Sequence, residues 1–533
     1  MFTTFTRALP LLAAASITST LPSQTVAPAP RNASAQGHEV VDSVINARIR
    51  SEGFDRSKVM RTATMLSDVN GPRLAGSPEY RSAAEWARRE LISYGATATL
   101  EPWGKRRGKS WQVVRHSVEM VEPYYARLSA YPKAWSPPTA GTVTGTPRMV
   151  SIRADSDLVK YRGTLRGAIL LNGTIRADSI ARFRPLARRF TQGELDSMSR
   201  ITDPGEPRTY WDDAGGYAEN VARSNRRAVA IRNEGAAVLL QPSGVYDAVS
   251  VTGYQAYDSD VSGAVPAFYV DRGDYQRVVN LLEHDVPVKL EISLSTRELP
   301  TDSLGYNLIA EIPGTDPALR DEVVMLGGHF DGFPVGTDAT DNAAGSAVAI
   351  EAIRILQATG ARPRRTIRLA LWDGEEHEDY HGSMGYVRKH FGNPQTMKLL
   401  PAHSKISAYF NFDSGTGRVR GLHLQGNHAV RPIFAAFLDP FTDLGASNLT
   451  ILNKGSTDHM PFVSVGIPAF TFMQDPIDYE TRTHHTNRDV AAYLLEHDLK
   501  QAAVVTASLV LHTANREKIL PRLPLPVPRP ASP

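Results

Sequence analysis

Apolar residues recur along the chain with two spacings, and each spacing predicts a different kind of element. Near the N-terminal end, Ser77-Pro78-Glu79 has the form of a helix cap followed by proline at the first helical position. Ala83, Ala87 and neighbouring apolar residues then recur at helical spacing as far as Leu91. Gly95 follows as a stop signal, so we predict a helix between Ser77 and Gly95.

From about residue 300 to 515, short apolar runs typical of strands alternate with helical patterns. The predicted strands are 322–326, 366–372, 406–412 and 467–473, and the clearest helix is 343–358, ended by Gly360. Such alternation favours an α/β fold, an open mixed sheet with helices on both faces.

The middle of the chain has a different pattern, in which short strands are separated by turns. A junction rich in Pro, Gly and Thr comes first, at 136–147, and the strands predicted after it are 168–171, 237–240, 267–270 and 288–292. One helix is predicted, at 220–233. We interpret this part as an inserted, mostly-β domain.

These patterns divide the chain into five parts. They are a signal peptide and leader (1–36), the N-terminal part of the main domain (37–140), the inserted domain (141–297), the α/β part of the main domain (298–515) and a proline-rich tail (516–533).

The first part has the composition of a secretory signal. Arg7 precedes an apolar run at 8–21 that is too short to cross a bilayer, and the small residues Ala33-Ser34-Ala35 follow. The alternative is a disordered tail. No later run of about 18 apolar residues occurs, so we expect a secreted or periplasmic protein without a membrane span. The chain has no cysteine and therefore no disulfides.

Charge and composition exclude other classes of function. The 59 Lys and Arg nearly balance the 56 Asp and Glu, so a nucleic-acid partner is not expected. The chain also lacks the G-x-S-x-G motif of an α/β serine hydrolase.

Candidate ligands for a metal ion follow the predicted strands. In an open α/β sheet, ligands bind beyond the carboxyl ends of the strands. His, Asp and Glu are the ligand types that zinc prefers when cysteine is absent. Residues of these types at that rim are His329, Asp331, Asp341, Glu375, Glu376, Asp413, His484 and His485. The sequence therefore predicts a zinc site at the rim.

The stretch LWDGEEHEDYHGSMGY contains two signatures that exclude each other. His377-Glu378-Asp379-Tyr380-His381 spells H-E-x-x-H, in which two histidines one helical turn apart hold a single zinc. Glu375-Glu376 instead spells the adjacent glutamates of a two-metal exopeptidase. Glycines flank only seven residues here, which favours a loop over a helix. A single-zinc protease using His377, Glu378 and His381 remains the alternative.

Five motifs resemble, in order, those of the secreted di-zinc exopeptidases of the M28 type. They are GGHFDGFPVGTDATDNAAG, LWDGEE, NFDSGTG, TDHMPFVSVGIPAF and HHTNRD. The N-terminal LSDVNGPRLAGSPEYRSAAEWARRELISYGA fits as well, so the resemblance covers about 60–100 and 300–510. The twelve-residue step from His329 to Asp341 resembles the carboxypeptidase Q-like branch most closely. More weakly, DLVKYRGTLRGAILL, RNEGAAVLL and VPAFYVDRGDYQRVV resemble a protease-associated (PA) domain.

The resemblance implies two zinc ions per chain and a role for each rim residue. One zinc would be held by His329, Asp341 and Asp413, and the other by Asp341, Glu376 and His485, with Asp341 bridging. Glu375 would be the general base, Asp331 would orient His329, and His484 or Asp458 would assist the oxyanion or support the ligands. A cis peptide is implied between Asp341 and Asn342.

The implied activity is hydrolysis of short peptides with a free terminus, as an aminopeptidase or as a dipeptidase or carboxypeptidase. The inserted domain would restrict the entrance, and a homodimer is an alternative to a monomer. A non-catalytic binding protein of the same fold is a rival class, but such relatives lose ligands that are present here. One departure is the HEDYH loop, one residue longer than usual, which places His377 and His381 beside the site.

Overall fold

A computed structural model describes residues 39–106, 109–173, 175, 185–206, 211–245, 247–251, 264–299, 304–377 and 380–528. The predicted signal peptide and Glu378 lie outside the described residues.

The strands, in chain order, are β1 (Thr97–Lys105), β2 (Ser110–Glu122), β3 (Ala126–Arg127), β4 (Ala130–Pro132), β5 (Val143–Gly145), β6 (Pro147–Val150), β7 (Ile169–Asn172), β8 (Val238–Pro242), β9 (Ala267–Val270), β10 (Lys289–Leu299), β11 (Leu304–Ile312), β12 (Val323–His329), β13 (Thr366–Trp372), β14 (Gly392–Asn393), β15 (Lys398–Leu399), β16 (Ile406–Asn411), β17 (Val419–His423), β18 (Asn448–Thr450) and β19 (Ala469–Gln474).

The α-helices are α1 (Ser43–Asp55), α2 (Val59–Thr64), α3 (Pro78–Ser93), α4 (Gln192–Ser199), α5 (Trp211–Asn233), α6 (Arg272–Glu283), α7 (Ala344–Ala358), α8 (His381–His390), α9 (Arg431–Leu438), α10 (Met460–Val463) and α11 (Glu496–Asn515). Within the described residues, none of these helices combines the length and the apolar content needed to cross a membrane.

The largest sheet is mixed, with strand order β1-β11-β13-β12-β16-β19-β17-β18. Its central strands β13, β12, β16 and β19 run parallel, whereas β11 and β17 join them antiparallel. Every residue of β12, β16 and β19 is buried, as expected for parallel strands covered on both faces. The predicted open α/β sheet is confirmed.

Alternate residues of the central strands enter two different cores, because successive side chains of a strand point to opposite faces. Leu326 and Phe410 pack in one core with the buried helices α7 and α11. Met325 and Tyr409 pack in the other with residues of α8 and α10. This two-sided packing fixes the sheet, and with it the rim at which the strands end.

The predicted N-terminal helix is α3. Ser77 caps it through its hydroxyl, which accepts the main-chain N–H of Tyr80 at 3.1 Å. The chain leaves the helix at Gly95, whose φ of 94° lies in the left-handed region that glycine adopts without strain.

The middle of the chain forms a five-stranded sheet of order β4-β9-β8-β7-β6, in which β6 to β9 run parallel. Three of the predicted strands are present as β7, β8 and β9, but α4 and α6 accompany the one expected helix, α5. The predicted strand at 288–292 belongs elsewhere, since β10 pairs with β2 in a separate four-stranded sheet. The PA-domain assignment and the domain boundaries stay predictions.

A buried network of charges joins α1 to α7. The guanidinium of Arg354 donates to Glu351 at 2.9 Å and to Glu52 at 2.5 Å, and all three side chains are at least nine-tenths buried. Among the described residues, Arg354 is the only cation paired with Glu351, whereas Glu52 also pairs with the more exposed Arg56.

We expect Arg354→Met to lower the free energy of unfolding by about 3–5 kcal/mol, because it leaves Glu351 buried without a counter-charge and leaves Glu52 with Arg56 alone. Arg61→Met is the matched control. Arg61 pairs with Glu90 at 2.8 Å with 53% of its side chain exposed, and the loss there should stay below about 1 kcal/mol. Urea unfolding of both variants measures the difference, and equal midpoints would contradict the role of the network.

Candidate metal centre

The predicted ligands are delivered by neighbouring strand ends. His329 is the last residue of β12, Glu375 and Glu376 follow β13, and Asp413 follows β16. Because these three strands are parallel, their carboxyl ends meet at one edge of the sheet. Asp341 lies in the turn Ala339–Ala343 that leads into α7, and its own backbone angles, φ −132° and ψ 84°, are not helical.

Glycines let the strands approach closely at this edge. A Cβ on Gly327 would overlap the carbonyl oxygen of Ala370 in β13, and one on Gly328 would overlap that of Phe412 after β16. The Gly-Gly-His sequence is thus needed for packing just before the first ligand.

Asp341 stands between two histidines. His329 Nε2 lies 3.1 Å from Asp341 Oδ1 and 3.4 Å from Asp413 Oδ1. His485 Nε2 lies 3.2 Å from Asp341 Oδ2 and 3.0 Å from Glu376 Oε2. The structure therefore brings the five predicted ligands together as two groups that share one carboxylate.

The electrostatics of this cluster are those of a cation site. Burial lowers the pKa of His329, but the carboxylates of Asp413 and Asp341 outweigh burial and hold that pKa well above its usual value. Burial raises the pKa of Glu376 to about 8, and Asp341 adds to that shift. Glu376 Oε1 is buried without a hydrogen-bond donor. Nitrogen and oxygen donors with an excess of carboxylates fit zinc.

Asp331 supports the site in two ways. Its main-chain oxygen lies 3.0 Å from His329 Nδ1 and orients the ring, whereas its carboxylate is 3.9 Å away. That carboxylate instead accepts the main-chain N–H groups of Glu375 at 3.1 Å and Glu376 at 3.2 Å. The expected orientation of His329 thus comes from the main chain of Asp331, and the side chain fixes the glutamate pair.

The turn that carries Asp341 is held from both sides. The carboxylate of Asp489 accepts the N–H groups of Thr340 at 2.5 Å and Asp341 at 3.1 Å. Asn342 Nδ2 donates to the oxygen of Phe412 at 2.7 Å. The peptide between Asp341 and Asn342 is cis, as the resemblance implied.

Sequence reasoning missed Arg73, a fully buried side chain beneath the site. Its guanidinium donates to the main-chain oxygens of Phe330 at 2.8 Å, Leu66 at 2.9 Å and Asp338 at 3.0 Å. Asp338 also accepts the N–H of Arg73 at 2.6 Å. In the sequence, the only indication of a role for Arg73 was its position within the N-terminal motif LSDVNGPRLAGSPEYRSAAEWARRELISYGA. Arg73 ties the loop after β12 to the turn before α7.

The structure contradicts the helical geometry that H-E-x-x-H requires. Helix α8 begins at His381, and Tyr380 before it has a φ of 57°, in the left-handed region. The ring of His377 is buried, with its centre 4.3 Å from that of the Phe333 ring and 5.3 Å from that of the Trp135 ring. This burial lowers the pKa of His377 to about 3. Among the described residues, the groups that could hold a metal include neither His377 nor His381.

Glu375 is half-buried beside the ligands. Desolvation raises the pKa of its carboxyl well above the usual value, and the carboxylates of Glu376, Asp413 and Asp458 raise it further. Burial raises the pKa of Asp458 to about 8, and its Oδ1 accepts from the hydroxyl of Ser383 at 2.6 Å. A carboxyl in this environment holds a proton more tightly than a free one, as expected of a group that transfers protons.

His484 and Tyr479 border the same cluster. His484 Nε2 lies 3.7 Å from Asp341 Oδ2, and its ring lies 3.8 Å from that of His485. The hydroxyl of Tyr479 donates to Asp413 Oδ1 at 3.4 Å. Tyr479 was not among the predicted site residues.

A segment of the middle part of the chain, 247–251, pairs with the loop that carries His485. The main-chain N–H of Val251 donates to the main-chain oxygen of His485 at 3.1 Å, and Ser250 forms an isolated antiparallel β-bridge with Thr486. Asn487 donates its N–H to the oxygen of Val249 at 3.0 Å and accepts the N–H of Val249 through Oδ1 at 2.8 Å. The middle part of the chain therefore holds a predicted ligand in place.

Phe333 reinforces this pairing. It packs with Val249, Val251 and Val335 in a small buried cluster, and its ring lies 4.1 Å from that of His485. The imidazole is thus fixed by packing as well as by the main chain.

Comparison with known proteins finds similar peptidases. Residues 307–510 match the model of peptidase family M28. The chain is 24% identical to carboxypeptidase Q of Homo sapiens over 493 residues, which cover 91% of this chain and 90% of that protein.

Solved structures share the fold. The peptidase M28 precursor from Shewanella amazonensis SB2B is 24% identical with a TM-score of 0.64, over 91% of this chain and 98% of the other. BSAP, a zinc aminopeptidase from Bacillus subtilis, is 17% identical with a TM-score of 0.51, over 85% and 93% of the two chains. Residues 307–510 therefore form a peptidase family M28 domain, and the chain is similar to carboxypeptidase Q over most of its length.

Proposed function

We propose that the protein is a two-zinc exopeptidase that hydrolyses short peptides with a free terminus. The observation that carries the proposal is the position of Asp341, whose two carboxylate oxygens face His329 and His485 separately. A second carboxylate accompanies each histidine, Asp413 on one side and Glu376 on the other. Each group thus offers three protein ligands, the number found in catalytic rather than structural zinc sites.

When bound, two zinc ions would polarise the peptide carbonyl and lower the pKa of water. Glu375 is the proposed general base. Its raised pKa suits a group that takes a proton from water and then returns it to the leaving amine. The N–H bond to Asp331 holds its main chain in place for both transfers.

His484 is the proposed partner of the developing oxyanion. It is the more exposed of the two adjacent histidines, with 36% of its side chain accessible against 20% for His485. Donors placed where negative charge develops stabilise the transition state. Asp458 lies deeper, against Ser383, and we assign it a supporting role.

Proteins similar to this chain include a carboxypeptidase and an aminopeptidase. The proposal therefore does not specify whether the N-terminal or the C-terminal residue of the peptide is removed. We further propose that the middle domain limits the entrance to short peptides, and that the chain is exported through its predicted signal. A homodimer is a separate proposal, which the mass of the purified protein in solution tests.

Glu375→Gln should lower the turnover of a dipeptide roughly 10²–10⁴-fold, because the amide cannot accept a proton. The bound zinc should stay at the wild-type level. The same peptide blocked at both ends should not be cleaved by either protein. Glu378→Gln is the matched control, since the single-zinc alternative assigns the base to Glu378. An inactive Glu378→Gln enzyme beside an active Glu375→Gln enzyme would overturn the assignment.

Zinc content provides a separate test. Dialysed wild-type protein should hold about two zinc ions per chain. Asp413→Ala should retain about one, and Asp341→Ala less than that, because Asp341 serves both groups. Asp443→Ala removes a carboxylate that is 60% exposed at the surface and should change nothing. Elemental analysis decides, and one zinc per wild-type chain would refute the two-metal proposal.

Asn487→Ala should weaken zinc binding by about 10–100-fold, the usual effect of removing a residue that orients a ligand. The variant loses the bond that aligns 247–251 with the His485 loop. Asn448→Ala is the control, because Asn448 also bonds the middle part of the chain, at Leu195, but away from the ligands. Competition with a chromophoric chelator measures zinc affinity in both variants, and equal affinities would exclude positioning through Asn487.

A further inference from the structure

A cavity lies at the carboxyl ends of the parallel strands β6, β7 and β8, outside the metal centre. Its volume is about 230 Å³, and its lining includes Ser151, Arg153, Asn172, Arg227 and Gln241. A single water needs roughly 10–15 Å³ on this measure, so the cavity has room for a polyatomic ligand. Its position matches the place where parallel α/β sheets bind ligands.

Arg227, on α5, brings an uncompensated charge to this cavity. Its Nε is buried and has no hydrogen-bond acceptor. Among the described residues, no carboxylate pairs with its guanidinium. A buried donor without an acceptor costs free energy, so an acceptor from outside the chain would be stabilising there.

Gln241 offers a further donor. Its Oε1 accepts from Lys133 Nζ at 2.5 Å, which leaves the NH₂ end of the amide as the free end. Lys133 is itself buried, with Nζ 4.5 Å from the centre of the Tyr269 ring. It therefore fixes the direction of the amide and adds a positive charge behind it.

The other polar groups of the lining contribute no negative charge. Both amide atoms of Asn172 bond the main chain of Ile152, at 2.9 Å and 3.2 Å. Asp157, on the loop that follows β6, directs its carboxylate to the main-chain N–H groups of Arg153 and Ala154. The cavity lining thus contains two guanidinium groups and no carboxylate.

We propose that this cavity binds a small oxyanion, a carboxylate or a phosphate, through Arg227 and the amide of Gln241. The planar guanidinium matches both groups, since it can donate two parallel hydrogen bonds to adjacent oxygens. The site is separate from the metal centre and does not depend on the proposed peptidase activity.

Calorimetric titration of the zinc-loaded protein with inorganic phosphate and with succinate, at constant ionic strength, tests the proposal. At least one of the two anions should bind, and which one binds tighter identifies the chemistry of the ligand. Arg227→Gln should raise the dissociation constant about tenfold or more, as expected for loss of a charged bidentate contact. Arg226→Gln changes the exposed neighbour on the same helix and should bind as the wild type does.

Phosphate can also bind zinc, so its inhibition of dipeptide hydrolysis is measured in parallel. Inhibition at the metal centre should be the same in wild type and Arg227→Gln, whereas the calorimetric component from the cavity should disappear in the variant. Arg227→Lys, which keeps the charge but not the two-pronged geometry, should bind with intermediate affinity. Absence of binding by both anions, or unchanged binding in Arg227→Gln, would overturn the proposal.

Discussion

The rim of the sheet depends on one carboxylate, that of Asp341, held between two imidazoles. The histidines lower the pKa of Asp341 well below its usual value although burial raises it. Neighbouring buried carboxyl groups repel one another when all are ionised and no cation is bound. Burial, together with this repulsion from Asp341, raises the pKa of Glu376. The supporting bonds from Asp489 and Asn342 hold the turn rigidly, so the repulsion is not relieved by movement.

Strands β12, β16 and β19 contain no Asp, Glu, Lys or Arg, so the charged side chains next to these strands lie in the loops that follow them. The central strands are buried along their whole length, and their side chains fill two apolar cores. The carboxylates of Glu376 and Asp413 accordingly come shortly after β13 and β16, whereas the charged pair of Arg368 and Glu311 lies farther back along β13 and β11. Small residues allow the approach: without Gly327 and Gly328 the three central strands could not place their ends side by side.

Local patterns in the sequence predicted the central strands and helix α7, and the ends of those strands indicated the candidate residues at the rim. The predicted strand 366–372 matches β13, and the predicted helix 343–358 matches α7 to within a residue. Hydrophobic periodicity and helix caps involve residues that are close together in the sequence. The residues at the rim follow directly from where the predicted strands end. Contacts between distant residues could not be predicted in this way. Arg73 bonds Asp338 across 265 positions, and Val249 bonds Asn487 across 238, with no periodic signal for either.

The pairing of 247–251 with the loop at His485 has a consequence for how the site is assembled. The histidine comes late in the chain, and its support comes from the middle, so the final group of donors forms only by a long-range closure. Contacts of such separation form slowly, because the entropy of closing the loop is lost before they stabilise the structure. A nascent chain that stops before residue 485 has four of the five donors and an incomplete centre. If the proposed two-zinc site carries the activity, that site would be complete only once the chain extends past residue 485 and the His485 loop has paired with 247–251.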